Sequence, residues 1–301
     1  MPADRPRLTA SDFNPAVLRL FDQYVHGLIA RRGFLERATR FASGSAATAA
    51  ALLAALSPDF AAAQKVAAND SRLKTEFVEF ASDAGYGRAR AYIARPATSA
   101  PARPVVLVVH ENRGLNPHIE DIARRLALEG YIAVAPDALF PLGGYPGDED
   151  AAREKFSQLD LKRTTEDFVA AAAFARALPG VNGRLGAVGF CYGGTLVNIL
   201  ATRVSELRAA APFYGTAPPL DQVPKISCEL ALMFADQDER VNATWPAYEA
   251  ALKAAGVRFQ AFRYPGTQHG FNNDTTPRFD ETAATLAWGR MLALFDRTLK
   301  G

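Results

Sequence analysis

The chain has 301 residues, of which 49% are hydrophobic, 10% aromatic and 22% charged, a mixture too apolar for a disordered chain and too interspersed with charge for a polytopic membrane protein. With 34 Lys+Arg against 32 Asp+Glu the formal charge is +2, and no basic run suggests nucleic acid. The two cysteines, Cys191 and Cys228, cannot build a disulfide framework, and chemistry that needs imidazole has His26, His110, His118 and His269 to draw on.

The leading 70 residues differ from the rest. Residues 41–58 carry no charge, Ala46 to Leu56 is nearly all Ala and Leu, and Arg31-Arg32-Gly33-Phe34-Leu35 stands just before. This resembles a twin-arginine export signal with Ala61-Ala62-Ala63 as its cleavage site, which would make the protein periplasmic once residues 1–63 are removed. The alternative is a retained helical extension in a cytoplasmic protein. Asn14-Pro15 starts one helix and Arg32 to Leu56 makes a second, packed on the domain or on a partner subunit. The apolar run is too short and too rich in Ala, Ser and Gly for a membrane span, which wants about 20 strongly apolar residues, so no stable insertion is expected.

From Leu73 the chain alternates strand and helix signals. Leu73–Ser82 and Gly87–Pro96 alternate apolar and polar residues around Asp83-Ala84-Gly85, a hairpin at a sheet edge. Pro104–Val109 is a β-branched run of the kind buried on both faces of a parallel sheet. Ile119–Glu129 has a helical period, Tyr131–Pro136 is a second buried strand, and Gly143–Asp150 is a flexible-looking loop placed to carry substrate contacts. Thr164–Leu178 is a helix, Leu185–Phe190 a strand, Leu230–Phe234 another, Trp245–Ala255 a helix and Phe259–Tyr264 the last strand. The alternation predicts one α/β domain over residues 71–301, a mostly parallel sheet with helices on both faces, preceded by the extension or leader of residues 1–70.

Gly189-Phe190-Cys191-Tyr192-Gly193-Gly194, between a buried strand and a helix, has the form of a nucleophile elbow with Cys in place of Ser. Such a turn is so tight that the positions two before and two after the nucleophile cannot carry a side chain, and the helix start that follows favours a thiolate. The thiol needs a base, and His269 is the one histidine after Cys191, in a loop directly after the last strand. An orienting acid is expected after the penultimate strand, where Asp236, Asp238 and Glu239 compete; the Ala-x-x-Asp-x-x-Val turn favours Asp238, with Asp236 next. After the strand that ends at Val109, the backbone N–H of Asn112 can pair with that of Tyr192 as an oxyanion hole. No metal-ligand spacing is present, so no metal is expected.

With these residues in place the chain resembles the dienelactone hydrolase family, carboxymethylenebutenolidases of the α/β-hydrolase fold, from about Leu73 to Leu299. The motifs are His110-Glu111-Asn112-Arg113-Gly114-Leu115, Ala135-Pro136-Asp137, the Cys191 elbow and His269-Gly270-Phe271. The resemblance implies a Cys191–His269–Asp238 triad acting on a small ester or lactone without a cofactor, and a Glu111 carboxylate that gates the resting thiol. One departure stands out. The family's arginines for the substrate carboxylate are missing after Asp137, and Arg113 and Arg278 read more simply as surface ion pairs, with Tyr145 and Phe271 as further weak substrate contacts. The rivals are a general carboxylesterase or peptidase of the same fold, or a binding and assembly role for the extension. A homodimer is the one protein assembly considered.

Overall fold

Strand β3 (Arg103–Val109) shows how the sheet is built. Its residues 104–109 are all buried, and successive side chains point to opposite faces. Val105, Leu107 and Val109 join one apolar cluster with Phe168 and Leu196, while Val106 and Val108 join another with Ile119, Leu126 and Met291. The computed structural model describes residues 8–42, 45–98 and 101–301. Its eight strands are β1 (Leu73–Ser82), β2 (Gly87–Pro96), β3, β4 (Ile132–Pro136), β5 (Val181–Phe190), β6 (Leu207–Phe213), β7 (Glu229–Gln237) and β8 (Phe259–Gln268), in the spatial order β1-β2-β4-β3-β5-β6-β7-β8. The β1–β2 hairpin forms the antiparallel edge and the pairs from β4 to β8 are parallel.

Helices cover both faces. The described chain forms α1 (Pro15–Val25), α2 (Arg31–Ala38), α3 (Ala46–Leu56), α4 (Phe60–Ala63), α5 (Pro117–Leu128), α6 (Glu149–Ser157), α7 (Leu161–Ala177), α8 (Tyr192–Arg203), α9 (Glu239–Asn242), α10 (Trp245–Ala254) and α11 (Glu281–Phe295). Residues of α7, α8 and α10 enter one core cluster and those of α5 and α11 the other. Among the described residues no helix is long and apolar enough to cross a membrane. Because the parallel strands run the same way, the loops after β3, β4, β5, β7 and β8 meet at one edge of the sheet, the usual place for a site in such folds.

Three elements depart from the sequence expectations. The single helix expected over 32–56 is two, α2 and α3, with a 3-10 turn at Thr39–Phe41 and Ser45 at the start of α3; Ser43-Gly44-Ser45 are poor helix formers. Strand β6 has the Ala-rich sequence Leu-Arg-Ala-Ala-Ala-Pro-Phe, with little β-propensity, and is held by pairing with β5 on one side and β7 on the other. The expected loop over 143–150 stops at Asp148, whose carboxylate accepts from Ala151 N–H and caps α6.

The extension has a core of its own. Val17, Phe21, Tyr24, Phe34, Leu53 and Leu56 form a third apolar cluster. Polar contacts fasten it to the rest: Arg31 pairs with Asp150 at 2.5 Å, the Tyr24 hydroxyl donates to the same carboxylate, and Arg153 donates 2.7 Å to Tyr24 C=O.

Candidate active site

Cys191 sits between β5 and α8 with φ 56° and ψ −113°, a strained conformation for a residue with a side chain. The surrounding glycines are required by contact. A Cβ at Gly189 would lie 2.2 Å from Gly193 O, and one at Gly193 would lie 2.2 Å from Val109 O. The turn therefore sets the thiol at the N-terminus of a 12-residue helix, where the first amides lack intrahelical acceptors and the dipole favours negative charge. Tyr192 opens that helix, and Asn112 lies in the loop after β3.

His269 directly follows β8, and its Nδ1 is 2.5 Å from Asp238 Oδ2. Asp238 caps α9 by accepting from Val241 N–H at 3.2 Å, which holds the carboxylate in place, and the Tyr214 ring packs 4.9 Å from the imidazole. The other candidate acid, Asp236, is substantially exposed and pairs with Arg263 at 3.1 Å. With Nδ1 donating to Asp238, the Nε2 of His269 faces Cys191, within 4.8 Å of its Sγ. Burial by itself would push the thiol up; the charges of His269 and His26 outweigh it and bring the Cys191 pKa down to about 5. Burial opposes the charged form of His269 as well, but the Cys191 charge and the Asp238 hydrogen bond raise it to about 10. Cys228 has no such neighbours, and burial pushes it up to about 12.

A second imidazole occupies the same spot, and sequence reasoning missed it. His26, at the end of α1, places Nε2 3.5 Å from Cys191 Sγ and 3.3 Å from His269 Nε2. Its Nδ1 lies 2.8 Å from Asp22 C=O and 3.3 Å from the Asp22 carboxylate, and Arg240 Nη2 lies 3.1 Å from Nε2. The chain is anchored there because Val25 C=O accepts from Asn112 Nδ2 at 2.8 Å and from Arg113 Nη1 at 3.2 Å. A lone histidine 165 positions from the thiol, in a helix with ordinary patterning, carries no signal of this placement. Donor atoms of His26, Cys191 and His269 all lie within 4.8 Å of one another, so the tertiary structure assembles a His/Cys trio of metal-ligand type that no spacing in the sequence announces.

These groups line a cavity of about 50 Å³ together with Glu111, Asn112, Arg113, Asn273 and Arg278. The Glu111 carboxylate accepts from Asn273 Nδ2 at 2.9 Å rather than from the thiol. The expectation that Arg113 and Arg278 are surface residues is wrong: they are 5% and 8% exposed and both line the cavity, because α1 closes over them. Arg113 Nε is 3.5 Å from Glu149 and Arg278 Nη1 is 3.5 Å from Asp22. Tyr145 and Phe271 do not line this cavity. Tyr145 donates 2.9 Å to Glu149, and Phe271 is fully buried among Phe213, Tyr214 and Tyr264. His110, fully buried, donates from Nδ1 to Glu111 C=O at 2.6 Å and accepts from Ala138 N–H at 3.1 Å, which joins the loops after β3 and β4.

Residues 89–299, about 70% of the chain, match the model of the Dienelactone hydrolase family. The chain belongs to the dienelactone hydrolase family. It is 34% identical over 227 residues to a Synechocystis protein named "Putative carboxymethylenebutenolidase", covering 69% of this chain and 92% of that one. It is 49% identical over 113 residues to the "Putative hydrolase fragment YghX" of Escherichia coli, 38% of this chain and 97% of the fragment. The crystal structure of a "Putative Dienelactone Hydrolase" from Klebsiella pneumoniae superposes with a TM-score of 0.65 at 29% identity, over 74% of this chain and 99% of that one. The fold is thus that of the α/β-hydrolases, and the protein is a hydrolase acting on ester bonds. A separate model, described as YqhI-like, matches residues 5–43, the segment that carries α1 and α2.

Proposed function

We propose that this dienelactone hydrolase homologue cleaves an ester or enol lactone through Cys191, with His269 as base and Asp238 as its orienting acid. The observation that carries the reading is a thiol on a strained elbow facing an imidazole whose other nitrogen is 2.5 Å from a carboxylate. The thiolate attacks the acyl carbon, the amides of Asn112 and Tyr192 receive the oxyanion, and the alcohol leaves with a proton from imidazole. Water, deprotonated by imidazole, then hydrolyses the acyl-thioester and restores the thiolate. Thiolate is a good leaving group, so an activated ester suits this nucleophile better than an amide. Glu111 faces the same cavity and supports a role in setting the resting thiol.

Arg113 and Arg278 support a substrate that carries a carboxylate. Arg278 Nε is buried without a hydrogen-bond partner, and Arg113 Nε and Arg278 Nη1 have only long ion-pair contacts, 3.5 Å to Glu149 and to Asp22, so an anionic group in the cavity would complete their coordination. The test is hydrolysis of cis- and trans-dienelactone beside their methyl esters and simple aryl esters. Cys191→Ala should abolish all of it while still unfolding in one cooperative transition, and retained turnover would remove the nucleophile assignment.

A further inference from the structure

Two imidazoles, not one, address the sulfur of Cys191. Each turns Nε2 into the site; Nδ1 of His269 is held 2.5 Å from the Asp238 carboxylate, and Nδ1 of His26 is held 2.8 Å from the Asp22 C=O with the Asp22 carboxylate 3.3 Å away. The 3.3 Å separation of the two Nε2 atoms is favourable only when one carries a proton and the other a lone pair, so the pair shares a proton. The ring is fixed from both ends, by the Asp22 C=O and the nearby Asp22 carboxylate on Nδ1 and by the thiol and the second imidazole on Nε2. A divalent cation is disfavoured, because the Arg240 guanidinium already faces the His26 lone pair at 3.1 Å and Arg113 and Arg278 line the same cavity.

We infer that Asp22 and His26 form a second acid–base dyad, carried on the N-terminal segment, in which His26 protonates the leaving-group oxygen while His269 serves the attacking water. This rests on the proposed thiol mechanism and divides its proton transfers between two groups. In the resting state the shared proton lies on His269 Nε2, facing the thiolate, because Arg240 Nη2 at 3.1 Å donates to His26 Nε2; it passes to His26 once the substrate displaces that contact. Attack forms the C–S bond, and collapse breaks the C–O bond as His26 Nε2 gives that proton to the departing oxygen, leaving both rings neutral. His269 then takes a proton from water as the hydroxide attacks the thioester, the thiolate departs, and the shared proton is restored. The sum is ester plus water to acid plus alcohol. The cavity that holds both rings has about 50 Å³ of free volume, so a leaving group bound beside Cys191 lies against His26 Nε2.

The test is kcat/KM, which reports the steps through departure of the leaving group, across a series of acetates from nitrophenyl through phenyl to alkyl, for wild type, His26→Gln, Asp22→Asn and Cys191→Ala. A general acid is worth about 10²–10⁴-fold, and is needed most where the leaving group is poor. His26→Gln should lose about tenfold with nitrophenyl acetate and 100-fold or more with alkyl acetates. Asp22→Asn should show the same trend with smaller losses. An equal loss for every leaving group would reduce His26 to a positioning residue and overturn the inference; so would a gain in rate, which would make α1 an occluding plug. Activity that depends on added zinc and falls on chelation would replace the dyad by a metal site. Turnover surviving in Cys191→Ala would instead remove the underlying thiol mechanism.

Discussion

Removing the imidazole of His269 should return Cys191 to an ordinary or higher pKa, because burial then opposes the thiolate with only His26 to offset it. In the intact enzyme the thiol ionises at about 5, against an ordinary value of 9.0. At pH 6 about 90% of a thiol of pKa 5 is ionised and about 0.1% of one of pKa 9, roughly a 900-fold difference in thiolate. A thiolate of higher pKa is also more nucleophilic, with a Brønsted slope of about 0.4–0.5, which across four units returns about 40- to 100-fold. The net change in alkylation rate at pH 6 is therefore only about tenfold, and the position of the inflection is the decisive quantity. The assay is the rate of iodoacetamide modification from pH 4 to 10, located on Cys191 by peptide mass. Cys228, held up to about 12, should stay silent throughout. Wild type should inflect near 5 and His269→Gln near or above 9. A wild-type inflection near 9, or a His269→Gln inflection that stays near 5, would refute the idea that this imidazole activates the thiol.

The same pair should shape stability against pH. His269, raised from 6.5 to about 10, contributes stability in full below pH 6.5 and loses it as pH rises through about 10; Cys191, lowered from 9.0 to about 5, contributes in full above 9.0 and loses it as pH falls through about 5. Between 6.5 and 9.0 the two slopes cancel. The Tm difference between wild type and Cys191→Ala should be flat in that window and fall off on both sides; a monotonic trend would contradict the ion pair. Phe34→Ala empties a fully buried site in the cluster of the N-terminal helices, where such a truncation costs about 3–5 kcal/mol. Limited proteolysis should then cut within α1 to α3 well before the sheet unfolds, and unchanged resistance would show that the polar anchors alone hold the segment.

What local chemistry dictates could be read directly. The β-branched run of β3, the edge hairpin and the Gly-x-Cys-x-Gly turn are determined within a few residues, because pleat burial and backbone clash at Gly189 and Gly193 leave no other residue types. The turn after β7 favoured Asp238 over Asp236 as the neighbour of the His269 loop, and Asp238 is the one that lies 2.5 Å from His269 Nδ1. Strand β6 could not be read in this way, since its Ala-rich segment is held by its two neighbours rather than by propensity. Nor could the burial of Arg113 and Arg278, which is created by a helix more than 80 residues away in the chain. His26 is the clearest case. Its ring reaches Cys191 only because the apolar stripe of α1 packs into its own cluster while Tyr24 and Arg31 are tied to α6 and Val25 to the loop after β3. Amphipathic patterning announces that a helix will bury one face; which surface receives it, and which histidine is thereby delivered to a buried thiol, is decided by long-range packing alone.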